Sequence, residues 1–220
     1  MNAVPIAEWV VAMVLSATKQ LPDRWVTEPP RHWVLADLGT LDGATVAFIG
    51  FGTINRATAE RLAPFGCRMV AVTRSGEPSE INAVETMTDV HAAVADADHV
   101  VVGAPLTPIT EGMIDDDLLA AMKPGAHLVN IARGRLVDQE ALRRSLDAEH
   151  LGLASLDVCD PEPLPTGHWL YEHPRVRLSP HVSWSAPGAI DRLHAAFTDN
   201  LERWLANQPL VNVVDVAAGY

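Results

Sequence analysis

The chain has only two cysteines, Cys67 and Cys159, among its 220 residues. Their separation fits neither a metal-binding spacing nor a disulfide framework, so we expect a reducing cytoplasm and no metal site.

Basic residues are also scarce, since 16 Lys and Arg stand against 28 Asp and Glu, for a net charge of -12. This balance disfavours broad nucleic-acid binding, which needs a basic face, yet it permits an anionic substrate held by local arginines.

Long apolar runs are missing as well. The first run, from Trp9 to Leu15, follows Glu8 and soon meets Lys19. It has neither the basic start of an export signal nor the length of a membrane span. Hydrophobic residues still make up 48% of the chain and charged residues 20%, which is enough to bury a core. These features predict a soluble globular protein with no membrane partner.

From residue 44 onwards, short apolar runs alternate with amphipathic segments. We predict strands at 45–49, 68–72, 99–103, 126–130, 152–157 and 175–178, and helices at 54–65, 88–96, 115–121, 138–148 and 186–206. This alternation is typical of a parallel sheet covered by helices on both faces, a doubly wound α/β fold. Ligands of such sheets bind outside the carboxyl ends of the strands, so the residues just after each strand are the candidate site.

Two helical segments flank this region. Residues 5–20 have helical periodicity, and 21–42 read as an ordered linker because prolines there alternate with Trp25 and Trp33. Asp138 and Ser185 are the expected N-caps of the last two helices. The last helix carries an apolar stripe that should pack on another surface, made of Ile190, Leu193, Phe197, Leu201 and Trp204.

The segment Val46–Asn55 is the most informative. An apolar run ends in Gly50 and Gly52, and a helical pattern follows. The first glycine permits a tight turn, the second lets the backbone approach a pyrophosphate, and the helix N-terminus offers N–H groups. Asn55 stands where such loops usually have a third glycine, so helix and strand should be pushed slightly apart and Asn55→Gly should tighten cofactor binding. The expected cofactor contacts here are Gly50, Phe51, Gly52, Thr53 and Ile54.

The second strand is followed by Thr73, Arg74 and Ser75, with no acid before Glu77. An NAD-binding loop would place Asp or Glu about 20 residues after the glycines to bind the ribose hydroxyls. Arg74 between two hydroxyl groups suits a 2′-phosphate instead, so we prefer NADP over NAD. A solvated loop arginine is the alternative.

Further candidates follow the remaining strands. Arg133, before a glycine, could hold a carboxylate with two parallel hydrogen bonds, although it could also be a surface charge. Glu162 lies between two prolines that fix its backbone, and His181 follows a proline-stiffened strand end, although a lone histidine is more often structural. The candidate cofactor contacts in these loops are Ala104, Pro105, Leu106, Thr110, Ile131, Ala132, Arg133, Asp157 and His181.

Ordered motifs across nearly the whole chain resemble the D-isomer-specific 2-hydroxyacid dehydrogenases, a family that includes glyoxylate/hydroxypyruvate reductases and phosphoglycerate dehydrogenases. The motifs are Ala7-Glu8-Trp9, Leu41-Asp42-Gly43, Gly50-x-Gly52, Pro105-Leu106-Thr107, Asn130-x-Ala132-Arg133-Gly134, Asp157-Val158, Glu162-Pro163, Pro180-His181 and Leu210-Val211-Asn212-Val213-Val214.

The resemblance implies a Rossmann-type fold and hydride transfer between NAD(P)H and a small 2-oxo or 2-hydroxy acid. It makes His181 the acid/base, Glu162 its partner, Arg133 the carboxylate-binding residue, and Asp157 the acid near the nicotinamide carboxamide. The implied units are a dimerisation helix and arm (1–42), an NAD(P)-binding domain (43–185) and a C-terminal helix and tail (186–220). Trp9, Trp25 and Trp33 would then lie in or beside a homodimer contact, with core packing as the alternative for Trp9.

Members of this family carry a substantial segment before the Ala7-Glu8-Trp9 motif, which forms most of a substrate domain. Here Met1 lies almost at the motif, so the start may be misassigned (the explanation that we favour), the chain truncated, or the sequence cut. We therefore expect nucleotide binding but poor turnover. A non-catalytic nucleotide-binding or dimerisation module is the alternative function.

Overall fold

The computed structural model describes residues 3–21, 23–25 and 36–214. Its strands are β1 (Thr45–Ile49), β2 (Arg68–Val72), β3 (Val84–Met87), β4 (His99–Val102), β5 (His127–Asn130), β6 (Leu153–Leu156) and β7 (Val176–Leu178). Its α-helices are α1 (Ala3–Thr18), α2 (Thr53–Leu62), α3 (Val90–Val94), α4 (Asp116–Ala121), α5 (Gln139–Asp147) and α6 (Ala189–Leu205). Short 3₁₀ helices span Ala63–Phe65, Gly134–Leu136 and Trp169–Tyr171.

All seven strands lie in one parallel sheet with the order β3-β2-β1-β4-β5-β6-β7. The chain winds outwards from β1 through β2 and β3, then returns to the other side of β1 and winds outwards again from β4. The connection therefore changes direction between β1 and β4, where sheets of this type leave a crevice at the carboxyl ends of their strands. The predicted Rossmann-type doubly wound fold is confirmed.

The side chains of β1 show how the sheet is covered on both faces. All five of its residues are buried, as expected for a central parallel strand. Val46 and Phe48 pack in a core with α1 and α2, whereas Ala47 and Ile49 pack in a second core with α3, α4 and α5. The alternation of side chains along a strand therefore divides the interior into two layers.

The predicted helices and strands are largely confirmed, with two corrections. The sequence reading missed β3, an edge strand of four residues in which only Val84 is buried. Ser185 does not cap the last helix, because α6 begins at Ala189 after Gly188, whose φ is 71°. Asp138 does cap α5, and its carboxylate accepts hydrogen bonds from the N–H groups of Glu140 and Ala141.

The helices at the two ends of the chain differ in how they pack. Ile6, Val10 and Val14 of α1 are buried in the core beside α2, as the predicted helical periodicity requires. The predicted stripe of α6 is exposed by 43% to 69% within the described part of the chain. Trp25 is exposed and Trp33 lies outside the described residues. No helix in the described ranges is both long and apolar enough to cross a membrane.

Candidate nucleotide-binding and catalytic site

The glycine loop lies at the crevice between β1 and β4. Gly50 has a φ of 82°, and a Cβ there would be 2.8 Å from the Ala104 backbone, so both conformation and space require glycine. A Cβ on Gly52 would have no heavy atom within 4 Å. Gly52 caps α2 without a side-chain hydrogen bond, which leaves the first N–H groups of the helix for an anion. These features fit a dinucleotide pyrophosphate.

Gly103, which follows β4, leaves room for the side chain of Asn55. Its side chain is 1% exposed, and Nδ2 donates to the Gly50 carbonyl oxygen at 2.6 Å. A Cβ on Gly103 would lie 2.4 Å from the same Nδ2, so the missing side chain of Gly103 makes room for the amide. Asn55 thus ties the helix to the glycine turn.

Further predicted cofactor contacts lie in the loops after β2 and β4. Arg74 and Ser75 are exposed at the end of β2, while the hydroxyl of Thr73 accepts a hydrogen bond from the N–H of Gly76. After β4, Ala104 is buried against Gly50 and Pro105 is exposed. The Thr110 hydroxyl donates to the Pro105 carbonyl at 2.6 Å, so it braces this loop.

Arg133 lies on the loop after β5, and the side chain of Asn130 hydrogen-bonds to the backbone of this loop. Asn130 is fully buried at the end of β5, where Oδ1 accepts from the N–H of Ala132 at 3.0 Å and Nδ2 donates to the Arg133 carbonyl at 2.9 Å. Ile131 is buried and Ala132 half-buried, but Arg133 is exposed. The guanidinium donates to the Ala132 carbonyl at 2.6 Å through Nη1. Its other N–H groups can bind a carboxylate.

Asp157 lies on the next strand end and is hydrogen-bonded to the loop that carries His181. Its N–H donates to the Asn130 carbonyl at 3.0 Å, which ties the ends of β5 and β6 together. Its carboxylate accepts from the hydroxyl of Ser179 and from the N–H groups of Val182 and Ser183. The side chain predicted to lie near the nicotinamide carboxamide is therefore 1% exposed and bonded to residues 179–183.

His181 and Glu162 are in contact. Nδ1 of His181 lies 2.9 Å from Oε2 of Glu162, and the other carboxylate oxygen accepts from the N–H of Cys159 at 3.0 Å. Because a carboxylate can only accept, Nδ1 carries the hydrogen and Nε2 remains available for proton exchange. The side chains are 41% and 38% exposed, so solvent reaches both. A base oriented by a carboxylate can act as a general acid/base.

The loops that carry Arg133 and Glu162 are packed against each other. A Cβ on Gly134 would lie 2.0 Å from the Cys159 backbone, so glycine alone permits this approach. Gln139 of α5 also pairs with the backbone of Asp160, donating to its carbonyl and accepting from its N–H. Arg133, Glu162 and His181 therefore come from three loops that share direct contacts. Within the described ranges, no cluster of three His, Cys, Asp or Glu residues could hold a metal ion.

The fold and this loop arrangement define an NAD(P)-binding domain. Residues 11–183 match the sequence profile of the D-isomer specific 2-hydroxyacid dehydrogenase NAD binding domain. The chain belongs to this family.

Three relatives show the extent of the similarity. The chain is 30% identical over 218 residues to glyoxylate/hydroxypyruvate reductase A of Serratia proteamaculans, covering 97% of this chain and 68% of the reductase. A D-isomer specific 2-hydroxyacid dehydrogenase of Xanthobacter autotrophicus Py2, in complex with NADPH and MES, superposes with a TM-score of 0.89 at 29% identity, covering 100% of this chain and 90% of that one.

The third relative is the NAD-dependent formate dehydrogenase of Staphylococcus aureus in complex with NAD, with a TM-score of 0.85 at 30% identity, covering 97% of this chain and 66% of that one. The chain thus spans about two thirds of the reductase and of the formate dehydrogenase. Structural neighbours bind NADPH or NAD, in agreement with the cofactor predicted from the sequence.

Sequence reasoning did not single out the residues that hold these loops. In the sequence, Asn130 stands out only as part of a motif, and Ser179 and Gln139 belong to none of the motifs. One signal was present for Asn130, since an amide at the end of a buried apolar strand needs partners in the adjoining loop. No comparable signal marked Ser179 or Gln139.

Proposed function

We propose that the chain is the nucleotide-binding and catalytic part of an oxidoreductase that transfers hydride between NAD(P)H and a small 2-oxo or 2-hydroxy acid. The observation that carries the proposal is the 2.9 Å contact between His181 Nδ1 and Glu162 Oε2 beside the loop of Arg133. When bound, the nicotinamide would supply the hydride.

Each residue of this site would have a separate task. The Glu162 carboxylate orients the imidazole of His181 through Nδ1, and His181 donates a proton from Nε2 to the developing alkoxide and accepts it back in the oxidative direction. Arg133 binds the substrate carboxylate with parallel hydrogen bonds and helps to polarise the carbonyl. The N-terminus of α2 and the glycine loop hold the pyrophosphate.

The cofactor we propose is NADP in preference to NAD. Arg74 and Ser75 are exposed at the end of β2, where the adenine ribose of a bound dinucleotide would lie. Between the end of β2 and Glu77 the sequence has no acidic residue that could accept the hydrogen bonds of free ribose hydroxyls. The remaining predicted cofactor contacts belong to the same proposal.

A homodimer formed through α1 and the following arm is a further part of the proposal, as is a cytoplasmic location. Trp9 of α1 is half-buried and Trp25 is exposed, so the first could contribute to both the core and a subunit contact. Both cysteines are unpaired, which fits a reducing compartment. Sedimentation at micromolar concentration tests the dimer, and a monomer would contradict it.

The second candidate is a nucleotide-binding module without turnover. It is favoured by the exposure of His181 and Glu162, at 41% and 38%, because proton transfer in such enzymes normally occurs where water is excluded. This candidate explains the glycine loop but assigns no task to the contact between the two side chains.

One experiment separates the two candidates. The purified chain, with its mass verified, is titrated with NADPH and NADH, and oxidation of the reduced nucleotide is then followed with glyoxylate and hydroxypyruvate. We expect nucleotide binding and slow turnover of the 2-oxo acid, and this rate should fall further by about two to four orders of magnitude in His181→Gln, as is usual when a general acid is removed. Binding without turnover in the wild-type chain would favour the module.

A further inference from the structure

Four hydrogen bonds connect Asp157 to His181 and to the residues on either side of it. Its Oδ1 accepts from the Ser179 hydroxyl and from the N–H of Val182 at 2.9 Å, and its Oδ2 accepts from the N–H of Ser183 at 2.9 Å. Its backbone carbonyl accepts from the N–H of His181 itself at 2.9 Å. The carboxylate is 1% exposed, so these donors replace the water that it loses on folding.

The backbone of His181 is in a conformation that needs such support. Its φ is 55°, in the left-handed region, which is strained for a residue with a side chain and persists only where the surroundings enforce it. Trp184 contributes from the other side, since its indole N–H donates to the His181 carbonyl at 2.9 Å. The loop is thus held before and after the histidine.

We propose that Asp157 is a positioning residue for His181: its carboxylate fixes the left-handed turn that sets the imidazole against Glu162. This proposal rests on the proposed acid/base role of His181. It differs from the carboxamide contact implied by the family resemblance, because Asp157 acts here through the loop and needs no bound nucleotide.

The chemistry of the three donors requires a carboxylate. An Asp157→Asn side chain has nearly the same shape, but its NH₂ group would face at least one of the donors now bound to Oδ1 and Oδ2. Leaving buried N–H groups without acceptors favours a rearranged loop. The imidazole of His181 should then lose its fixed contact with Glu162.

The test uses ¹⁵N-labelled histidine in the full chain and needs no substrate. The side-chain signals of His181 are assigned with His181→Gln, and their response to Glu162→Gln is measured in the wild type and in Asp157→Asn. We expect a clear response in the wild type and its loss in Asp157→Asn.

Two further variants guard against a misfolded Asp157→Asn chain. Ser179→Ala removes one donor and leaves the carboxylate intact, so it should move the His181 signals in the same direction by a smaller amount. Asp98→Asn is the matched control, because Asp98 also accepts a backbone N–H, that of Thr45, but at the amino end of β4. It should leave His181 unchanged.

The outcomes separate the alternatives. Unchanged His181 signals in folded Asp157→Asn and Ser179→Ala chains, or weakened nucleotide binding as the sole effect, would overturn the positioning role. Where turnover is measurable, kcat should fall by roughly tenfold or more. A wild-type chain without turnover would contradict the proposed function, and the histidine signals would still decide the role of Asp157.

Discussion

His99 and His127 face each other across β4 and β5, with their Nδ1 atoms 3.1 Å apart. Thr18 gives its hydroxyl hydrogen to the Val14 carbonyl, so it accepts from Nε2–H of His99 at 3.3 Å. His99 Nδ1 is then the acceptor for Nδ1–H of His127, whose Nε2 accepts from the Ser155 hydroxyl at 2.9 Å. Every polar atom of the two rings is therefore satisfied only when both are neutral.

This pair predicts a loss of stability in mild acid. The pKa of His99 is lowered from its ordinary value of 6.5 to about 4, because burial disfavours the imidazolium, although Asp98 acts in the opposite direction. Burial also places the pKa of His127 well below its usual range. Since both pKa values are depressed by folding, the stabilisation is present above pH 6.5 and is lost as the pH falls towards 4. For His99 this amounts to about 3 kcal/mol.

Urea unfolding between pH 7 and pH 4.5 measures this effect. Replacing His99 by Gln should lower the stability at pH 7 and flatten its dependence on pH. His91→Gln, at an exposed position in α3, is the control and should keep the wild-type slope. Equal slopes in all three proteins would contradict the prediction.

A second prediction concerns the pair Asn55 and Gly103. Gly103→Ala should destabilise the chain strongly, because its Cβ would lie 2.4 Å from Asn55 Nδ2. The same substitution should cost less in an Asn55→Gly background, where the amide is missing. We expect a coupling of about 1–3 kcal/mol in a double-mutant cycle of unfolding free energies. Additive effects would show that the two positions are independent.

The same contact changes the expectation for Asn55→Gly alone. The sequence suggested tighter cofactor binding, but the substitution removes the hydrogen bond to the Gly50 carbonyl and adds a glycine to α2. We therefore expect a loss of about 1–3 kcal/mol in stability and no gain in nucleotide affinity. A tighter complex would support the original expectation.

Arg74 provides the test of cofactor preference. Arg74→Ala should raise the Kd for NADPH by roughly 10- to 100-fold, the range of a charge-assisted hydrogen bond, and leave the Kd for NADH nearly unchanged. Arg61→Ala removes the same charge from the last turn of α2 and serves as the control. Equal losses for both nucleotides in Arg74→Ala would remove the argument for a 2′-phosphate contact.

Asn130 predicts a change in substrate binding. In Asn130→Asp, an oxygen replaces the Nδ2 group that donates to the Arg133 carbonyl. Two hydrogen-bond acceptors then face each other, so this hydrogen bond is lost. We expect a higher KM for the 2-oxo acid with nucleotide affinity retained. Asn200→Asp is the matched control, because Asn200 of α6 makes the same two kinds of hydrogen bond, to the backbone of Val211 beyond the end of that helix. That control should leave the KM unchanged.

The sequence predicts the strands well where most of their side chains are buried. β1 and β2 have the predicted bounds. Each is a mainly apolar run that is bounded by a glycine-containing turn and a helix. β3 was missed because Val84 is its one buried residue, and a four-residue edge strand leaves too short a pattern. The start of α6 was misplaced because Ser185 is a good N-cap residue, whereas the helix begins after a left-handed glycine.

The site was accessible only in part. The rule that ligands bind at strand ends selected Arg133, Glu162 and His181, and the family resemblance supplied their roles. The hydrogen bonds by which Asn130 and Asp157 fix the neighbouring loops depend on which side-chain atom meets which backbone group. That information arises only when loops distant in sequence are folded together, as for Asp157 and Ser183.

The close approach of Gly134 to Cys159 has a consequence for any attempt to reshape the crevice. Because the two peptide segments are in van der Waals contact with no side chain between them, they behave as one block. Lengthening or shifting either segment would displace the guanidinium and the carboxylate jointly. Redesign of substrate preference should therefore spare this block and alter the rim around it.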